Sequence, residues 1–132
     1  MTLPHTDAAR PAETGPAVER LLGSTPARSD RRSCFLLRVR PEKLAEYLEV
    51  HQHVWPDMLR ALAASGWRHY SLFVEPATGL VVGYFESDDV DAARRAMADT
   101  EVNARWQAEM AQYFEQPDGG TDQLLQQYFF LL

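Results

Sequence analysis

The sequence predicts an α+β fold in which strands and helical regions follow one another in the order β, α, β, β, α, β. Three observations carry this prediction: short apolar runs typical of strands, apolar residues that recur at helical spacing, and a Pro/Gly turn between two of the runs. This order is that of the split βαβ, or ferredoxin-like, arrangement, an antiparallel sheet with both helical regions on one face.

The first strand is predicted in CFLLRVR, which begins at Cys34, and the first helix follows it directly. Pro41 stands at a favourable first helical position, and Gly66 is a typical residue at the helix end. Pro56 has no amide proton to donate within a helix, so we expect it to kink the helix or to start a new segment.

The next two strands, WRHYSLFVE and LVVGYFES, flank Pro76–Gly79, whose composition predicts a β-hairpin. Regular alternation places Tyr70 on one face of the sheet and Trp67 on the other. Asp88 or Asp89 is expected to cap a second helical region that breaks near Thr100.

The end of the chain combines a Pro/Gly loop from Gln116 to Asp122 with the run LLQQYFFLL. The run predicts a last strand, which must be buried because an exposed apolar strand invites aggregation. Several strands are apolar on both faces, so we expect the sheet face without helices to pack against a second copy, as a homodimer, or around a ligand cavity.

Composition indicates one globular domain with a flexible tail. The 132 residues are 45% hydrophobic and 24% charged, which is ordinary for one domain with a modest core. Residues 33–132 are predicted to form the domain. Residues 1–32 hold four prolines among small and charged residues and are predicted to be a flexible tail, with at most one helical turn around Val18 to Leu22.

The charge and the single cysteine exclude several classes of partner. A formal net charge of -6 without a basic patch argues against nucleic acid. Cys34 alone can form neither an intramolecular disulfide nor a zinc–thiolate site, and it fits a reducing compartment. No run of about 18 apolar residues and no secretory segment is present, so we expect a cytoplasmic protein that does not enter a membrane.

Tyr47, His51 and Trp55 form the most informative pattern, because a spacing of four residues stacks them along one helix face. A phenol, an imidazole and an indole can together bond and stack on a sugar, and the imidazole titrates near neutrality. On the same helix, His53 falls on the opposite, solvated side.

Other interpretations of His51 are weighed against this one. A histidine at such a position is about as often a core residue bonded to a backbone carbonyl as a functional residue. A packed core, however, prefers side chains without polar atoms. His51 and His53 lie about 200° apart on a helix, which argues against a metal site. No Gly-rich loop precedes a helix to hold phosphate.

The helix YLEVHQHVWPDML, the strand RHYSLF, the segment TEVNARWQAEM and the ending YFFL stand in an order and spacing that resemble the L-rhamnose mutarotase family. The resemblance covers roughly residues 33–132. It implies a ferredoxin-like fold that dimerises through its sheets into a dimeric α/β barrel, and an enzyme that interconverts the α and β anomers of L-rhamnose without a metal or an organic cofactor.

The same resemblance implies roles for individual residues. The catalytic proton donor of the family corresponds to His51, and its sugar-contacting residues correspond to Tyr47, Tyr70 and Trp106. Well-known members carry a second Trp after this Trp, whereas here the position is Gln107. The substitution replaces a stacking surface with a hydrogen-bonding amide, so the resemblance does not determine which sugar is preferred.

Two alternatives share the predicted architecture. One is a non-catalytic dimeric module that binds a small apolar ligand or regulates a neighbour. The other is a cofactor-free monooxygenase. Both predict a largely apolar pocket whose function does not depend on His51.

Overall fold

The structure, a computed structural model, describes residues 15–26, 29–115 and 122–132. Most of the predicted Gln116–Asp122 loop and residues 1–14 of the predicted tail lie outside the described residues. The chain divides into two compact units, one of residues 29–126 and the other of Met1–Arg28 with Gln127–Leu132.

The smaller unit contains helix α1, which spans Pro16–Ser24. Its nine residues make it longer than the single turn that the sequence predicted. The Thr25 hydroxyl after the helix donates a hydrogen bond to the Tyr128 carbonyl at 3.0 Å. The flexibility predicted for residues 1–32 stays a prediction.

The larger unit contains the sheet. In chain order its described elements are β1 Arg32–Arg38, α2 Leu44–Val50, α3 Pro56–Ala64, β2 Arg68–Glu75, β3 Leu80–Glu86, α4 Val90–Ala98, α5 Glu101–Met110 and β4 Gln123–Leu125. The strands form one antiparallel four-stranded sheet in the order β2-β3-β1-β4. The predicted α+β, ferredoxin-like fold is therefore confirmed, with each predicted helical region divided in two. The longest described helix, α5, has ten residues, and none in the described part could span a membrane.

Pro56 begins a new helix, which is one of the two outcomes predicted for it; the other was a kink. A 3₁₀ turn over His51–His53 follows α2, and the backbone is extended at Trp55 before α3 starts at Pro56. The residue before a proline is disfavoured in the helical region because the proline ring collides with it. The chain therefore leaves helical structure after His53, two residues beyond His51.

Side-chain caps begin both helices of the second region, α4 and α5. The Asp89 carboxylate accepts a hydrogen bond from the Ala92 amide at 3.1 Å, and the Thr100 hydroxyl accepts one from the Asn103 amide at 3.2 Å. Such caps satisfy amide groups that have no partner within the helix. The predicted cap and the predicted break near Thr100 are both confirmed.

The predicted hairpin joins β2 to β3. At its turn, the Glu75 carboxylate accepts hydrogen bonds from the amides of Ala77 and Thr78 at 3.2 and 2.9 Å. Gly79 has a φ of 79°, and a Cβ there would collide with the Val39 carbonyl oxygen. Glycine is required at this turn for its left-handed conformation and for the close approach of β1's extension.

A β-bulge interrupts β2 at His69, whose φ of 51° is unusual for a residue with a side chain. The register passes from Arg68 opposite Glu86 to Ser71 opposite Tyr84, so two residues of β2 face one residue of β3. The extra residue shifts the alternation along the strand. Trp67 and Tyr70 therefore contact each other, with ring centroids 4.9 Å apart, and the prediction that they lie on opposite faces was wrong.

The helices cover one face of the sheet and enclose the core with it. Val39, Val81 and Phe85 are the largest fully buried side chains. On the other face, Phe73 and Leu125 are 62% and 42% exposed, respectively. This exposed face is named the outer sheet face below.

The last strand is shorter than predicted. β4 pairs with β1 only over Gln123–Leu125, and the described residues after it form no strand. The prediction that the whole C-terminal run is a buried strand was wrong, and Leu131, for example, is 81% exposed.

Candidate active site

A cavity of about 820 Å³ lies between the helices and the covered face of the sheet. A smaller cavity of about 120 Å³ adjoins it and shares several of its lining residues. The shared side chains are Tyr47, His51, Trp67, Tyr70, Trp106, Gln107 and Asp122. The larger volume is typical of sites for small molecules, and most of the predicted site residues lie along it.

His51 lies at the end of α2, where its ring is half-buried and lines both cavities. Its Nδ1 is 2.9 Å from the Tyr47 carbonyl oxygen. A carbonyl oxygen only accepts hydrogen bonds, so Nδ1–H is the donor and Nε2 of the neutral ring carries the lone pair. The protein thus holds the imidazole in the tautomer whose Nε2 is a base.

Burial lowers the pKa of His51 below its ordinary value of 6.5, and the hydrogen bond to the Tyr47 carbonyl opposes this shift. Desolvation penalises the charged imidazolium, so the neutral ring predominates at neutral pH. His53, by contrast, is exposed, as predicted, although it stands in the same 3₁₀ turn.

Tyr47 is 3% exposed and stands beside His51, with ring centroids 4.3 Å apart. Its ring also meets Tyr113 and Phe114 edge-on at 5.9 and 5.7 Å. Burial, and secondarily the proximity of Tyr70, raises the pKa of the Tyr47 phenol well above its usual range. The phenol is therefore a hydrogen-bond donor at neutral pH, not a base.

Tyr70 reaches the cavity from β2, immediately after the bulge. The residue is 39% exposed overall. Desolvation on its cavity side raises the pKa of its phenol to about 12, while the Arg94 guanidinium lowers it and the Asp122 carboxylate raises it. Trp67 supports it from the side and stacks on Phe85, with ring centroids 3.7 Å apart and planes inclined by 12°.

Trp106 of α5 forms an aromatic wall beside His51. It is 6% exposed, and its ring meets those of His51 and Trp55 edge-to-face at 5.4 and 5.1 Å. Trp55 itself lines neither cavity. It packs against Trp106, and the carbon of the Arg105 guanidinium lies 5.4 Å from the centroid of the Trp55 ring. Trp55 therefore supports the wall instead of forming it.

Gln107 is exposed and lines both cavities, as its position next to Trp106 suggested. Its Nε2 donates a hydrogen bond to Asn103 Oδ1 at 3.3 Å. The pair presents amide groups to the cavity from α5.

Several lining residues were not identified from the sequence, and those with aromatic, amide or charged groups include Trp67, Arg94, Asn103 and Asp122. One signal was available for Arg94, since it stands within the apolar stripe of Val90, Ala93 and Met97 on α4. A charged residue within such a stripe must meet a polar partner. That partner, Asp122, is 28 residues away in sequence, so the pairing depends on the tertiary fold.

A sequence model of the L-rhamnose mutarotase family matches residues 32–131. The chain belongs to the L-rhamnose mutarotase family. The L-rhamnose mutarotase of Bacillus subtilis (strain 168) is 41% identical to it over 81 residues, which are 61% of this chain and 77% of that protein. The L-rhamnose mutarotase of Yersinia pestis (strain Pestoides F) is 32% identical over 102 residues, 76% of this chain and 97% of that protein.

Solved structures share the fold. The crystal structure of an L-rhamnose mutarotase from Formosa agariphila has a TM-score of 0.65 at 21% identity and covers 76% of this chain and 98% of that one. An antibiotic biosynthesis monooxygenase has a TM-score of 0.52 at 19% identity and covers 73% of this chain and 96% of that one. At these identities the likeness shows the fold alone.

Membership in the L-rhamnose mutarotase family makes this chain an isomerase, a sugar mutarotase. The resemblance found in the sequence is thereby confirmed.

Proposed function

We propose that this sugar mutarotase interconverts the α and β anomers of L-rhamnose, or of a closely related aldose, with His51 as the group that transfers the proton. The observation that carries the proposal is the hydrogen bond between His51 Nδ1–H and the Tyr47 carbonyl, which leaves Nε2 as a base in a ring that lines the cavity. The names of the relatives support L-rhamnose as the sugar.

The proton balance of the reaction suits one imidazole. Nε2 takes the proton from the anomeric hydroxyl, the anomeric C–O group becomes a carbonyl as its bond to the ring oxygen breaks, and the imidazolium gives the proton to the ring oxygen, which restores the neutral ring. The open-chain aldehyde then rotates about the bond next to its carbonyl and closes on its other face. Protons alone are exchanged, so the step requires neither a metal nor an organic cofactor.

The neighbouring aromatic residues have complementary roles in this proposal. The phenols of Tyr47 and Tyr70 stay protonated because their pKa values are raised, so they hold the sugar by donating hydrogen bonds. Trp106 offers an aromatic surface for the C–H face and the methyl group of the sugar. Trp55 keeps Trp106 in place, and Gln107 bonds a hydroxyl at the rim.

Exchange spectroscopy by NMR tests the proposal. Freshly mixed L-rhamnose and protein should give cross-peaks between the two anomer signals at mixing times that show none in buffer alone. The equilibrium ratio of the anomers should stay unchanged, because a catalyst alters rates only. A panel of 6-deoxy and 6-hydroxy aldoses then ranks the sugars. If no sugar exchanges faster than in buffer, the proposal fails.

The quaternary structure is part of the proposal: two copies pack through their outer sheet faces. Phe73 and Leu125 leave apolar area on that face in the single chain, and exposed apolar patches of this kind mark interaction surfaces. Pairing two such sheets gives the dimeric α/β barrel expected from the sequence.

The pH dependence of the reaction follows from the environment of His51. The base must be neutral to accept a proton, and burial lowers its pKa below 6.5. We expect kcat/KM for anomer exchange to rise with pH as His51 loses its proton, with a midpoint below 6.5, and to stay flat through neutral pH. Exchange rates measured between about pH 5 and pH 8, corrected for the buffer reaction, check this. A midpoint above 6.5 would contradict a base desolvated in this way.

A further inference from the structure

Arg94 and Asp122 form an ion pair in the wall of the larger cavity. Arg94 Nη1 lies 3.0 Å from Asp122 Oδ2, and the two side chains are only 22% and 27% exposed. Both residues line the cavity, and Asp122 also lines the smaller one. The proton-transfer scheme does not use this pair.

The guanidinium of Arg94 is held from several sides. Its Nη2 donates a hydrogen bond to the Ser33 hydroxyl at 2.8 Å. Its carbon lies 5.1 Å from the ring centroid of Phe35 and 5.4 Å from that of Phe85. A planar group bonded and stacked in this way loses little further entropy when it binds a ligand.

The position of Asp122 follows from the strand register. Leu124 stands opposite Phe35, which faces the helices, and alternation along an extended chain puts Asp122 on the same face. Asp122 and Arg94 also both act on the pKa of the Tyr70 phenol, so both charges lie close to a proposed sugar-binding hydroxyl.

A half-buried ion pair is a weak contributor to stability, because removing two charges from water offsets most of their attraction. It does match the chemistry of a sugar. Each hydroxyl both donates and accepts a hydrogen bond, a carboxylate can accept about four, and a guanidinium donates five. A carboxylate beside a guanidinium can therefore engage two neighbouring hydroxyls at once.

We infer that Arg94 and Asp122 are a hydroxyl-binding pair that determines which aldose the enzyme accepts, with Asp122 accepting from one ring hydroxyl and Arg94 donating to its neighbour. The inference rests on the proposed mutarotase function and goes beyond it, because it assigns sugar recognition to α4 and to the residue that precedes β4. The pair is a specificity determinant and does not take part in proton transfer.

The test combines a side-chain change with the removal of a hydroxyl. Asp122→Asn is assayed by NMR exchange with L-rhamnose and with analogues that each lack one ring hydroxyl. With L-rhamnose, kcat/KM should fall roughly 10- to 100-fold, mainly through KM, as expected for a lost hydrogen bond to a charged group. With the analogue that lacks the contacted hydroxyl, the kcat/KM values of variant and wild type should differ by less than about threefold, because the hydrogen bond between Asp122 and that hydroxyl is absent in both.

Asp88→Asn is the matched control, because Asp88 pairs with Arg68 at 3.1 Å on the surface. It should leave exchange unchanged with every sugar. Arg94→Lys, checked for folding by circular dichroism, should show the same dependence on the hydroxyl as Asp122→Asn.

Each outcome decides the inference. Equal losses with all sugars, no loss at all, or loss of folding in both variants would overturn it. If the wild type exchanges L-rhamnose but Asp122→Asn behaves identically, the inferred role of the Arg94–Asp122 pair is refuted, whereas the proposed mutarotase function stands. If the wild type exchanges no sugar, the proposed function fails first.

Discussion

Replacing His51 with Asn should slow anomer exchange of L-rhamnose by roughly 10²- to 10⁴-fold, the range of general acid–base catalysis. Asn keeps a polar group that can still donate to the Tyr47 carbonyl, the partner of His51 Nδ1. It has no lone pair that can take up a proton near neutral pH. The loss should therefore appear in kcat, whereas the KM for the sugar and the melting temperature should change much less. NMR exchange rates and thermal unfolding measure both.

His53→Asn is the control for this change, because His53 belongs to the same 3₁₀ turn and its side chain is exposed. Its exchange rate should stay within a small factor of the wild-type rate. The mechanism is wrong if His51→Asn unfolds the protein without a specific rate defect, or if only His53→Asn abolishes exchange.

Replacing Trp106 with Ala should lower the free energy of unfolding by about 3–5 kcal/mol, the usual cost of removing a buried aromatic side chain. Trp106 is 6% exposed and contacts both His51 and Trp55, so its removal leaves a void between them. Exchange should fall as well, since His51 loses the ring against which it packs. Urea unfolding followed by fluorescence and NMR exchange measure the two effects.

Trp106→Phe keeps an aromatic ring at the same place and separates the two contributions. It should recover most of the stability and part of the exchange rate. A loss below about 1 kcal/mol in Trp106→Ala would mean that this indole is not packed as the structure shows.

Local patterns predicted most of the fold. The spacing of His51 and His53 indicated which histidine points inward, and Pro56 marked the break within the first helical region. Thr100 marked the break in the second region because its hydroxyl can cap a helix. Each of these features is determined by residues within one or two helical turns, where the physical rules are strong.

Features that depend on distant parts of the chain were not predictable in the same way. The bulge at His69 places Trp67 and Tyr70 on the same side of the sheet. An alternating run of residues gives no sign that one of them has a positive φ. The pairing of Arg94 with Asp122 requires the sheet to bring β4 beside α4. The identity of a pocket's walls is a property of the assembled fold, whereas the chemistry of its central histidine could be inferred from one helix.

The bulge has a consequence for any effort to redesign the pocket. A regular strand offers every second side chain to one face, whereas the inserted residue lets Trp67 and Tyr70, three positions apart, meet on the same side. The length of β2 is therefore as much a determinant of the pocket as any side chain in it. A library aimed at new sugars can vary the lining residues, but it should restrict position 69 to Gly, Asn, Asp or His, which tolerate positive φ best. It should also exclude single-residue insertions and deletions between Arg68 and Ser71.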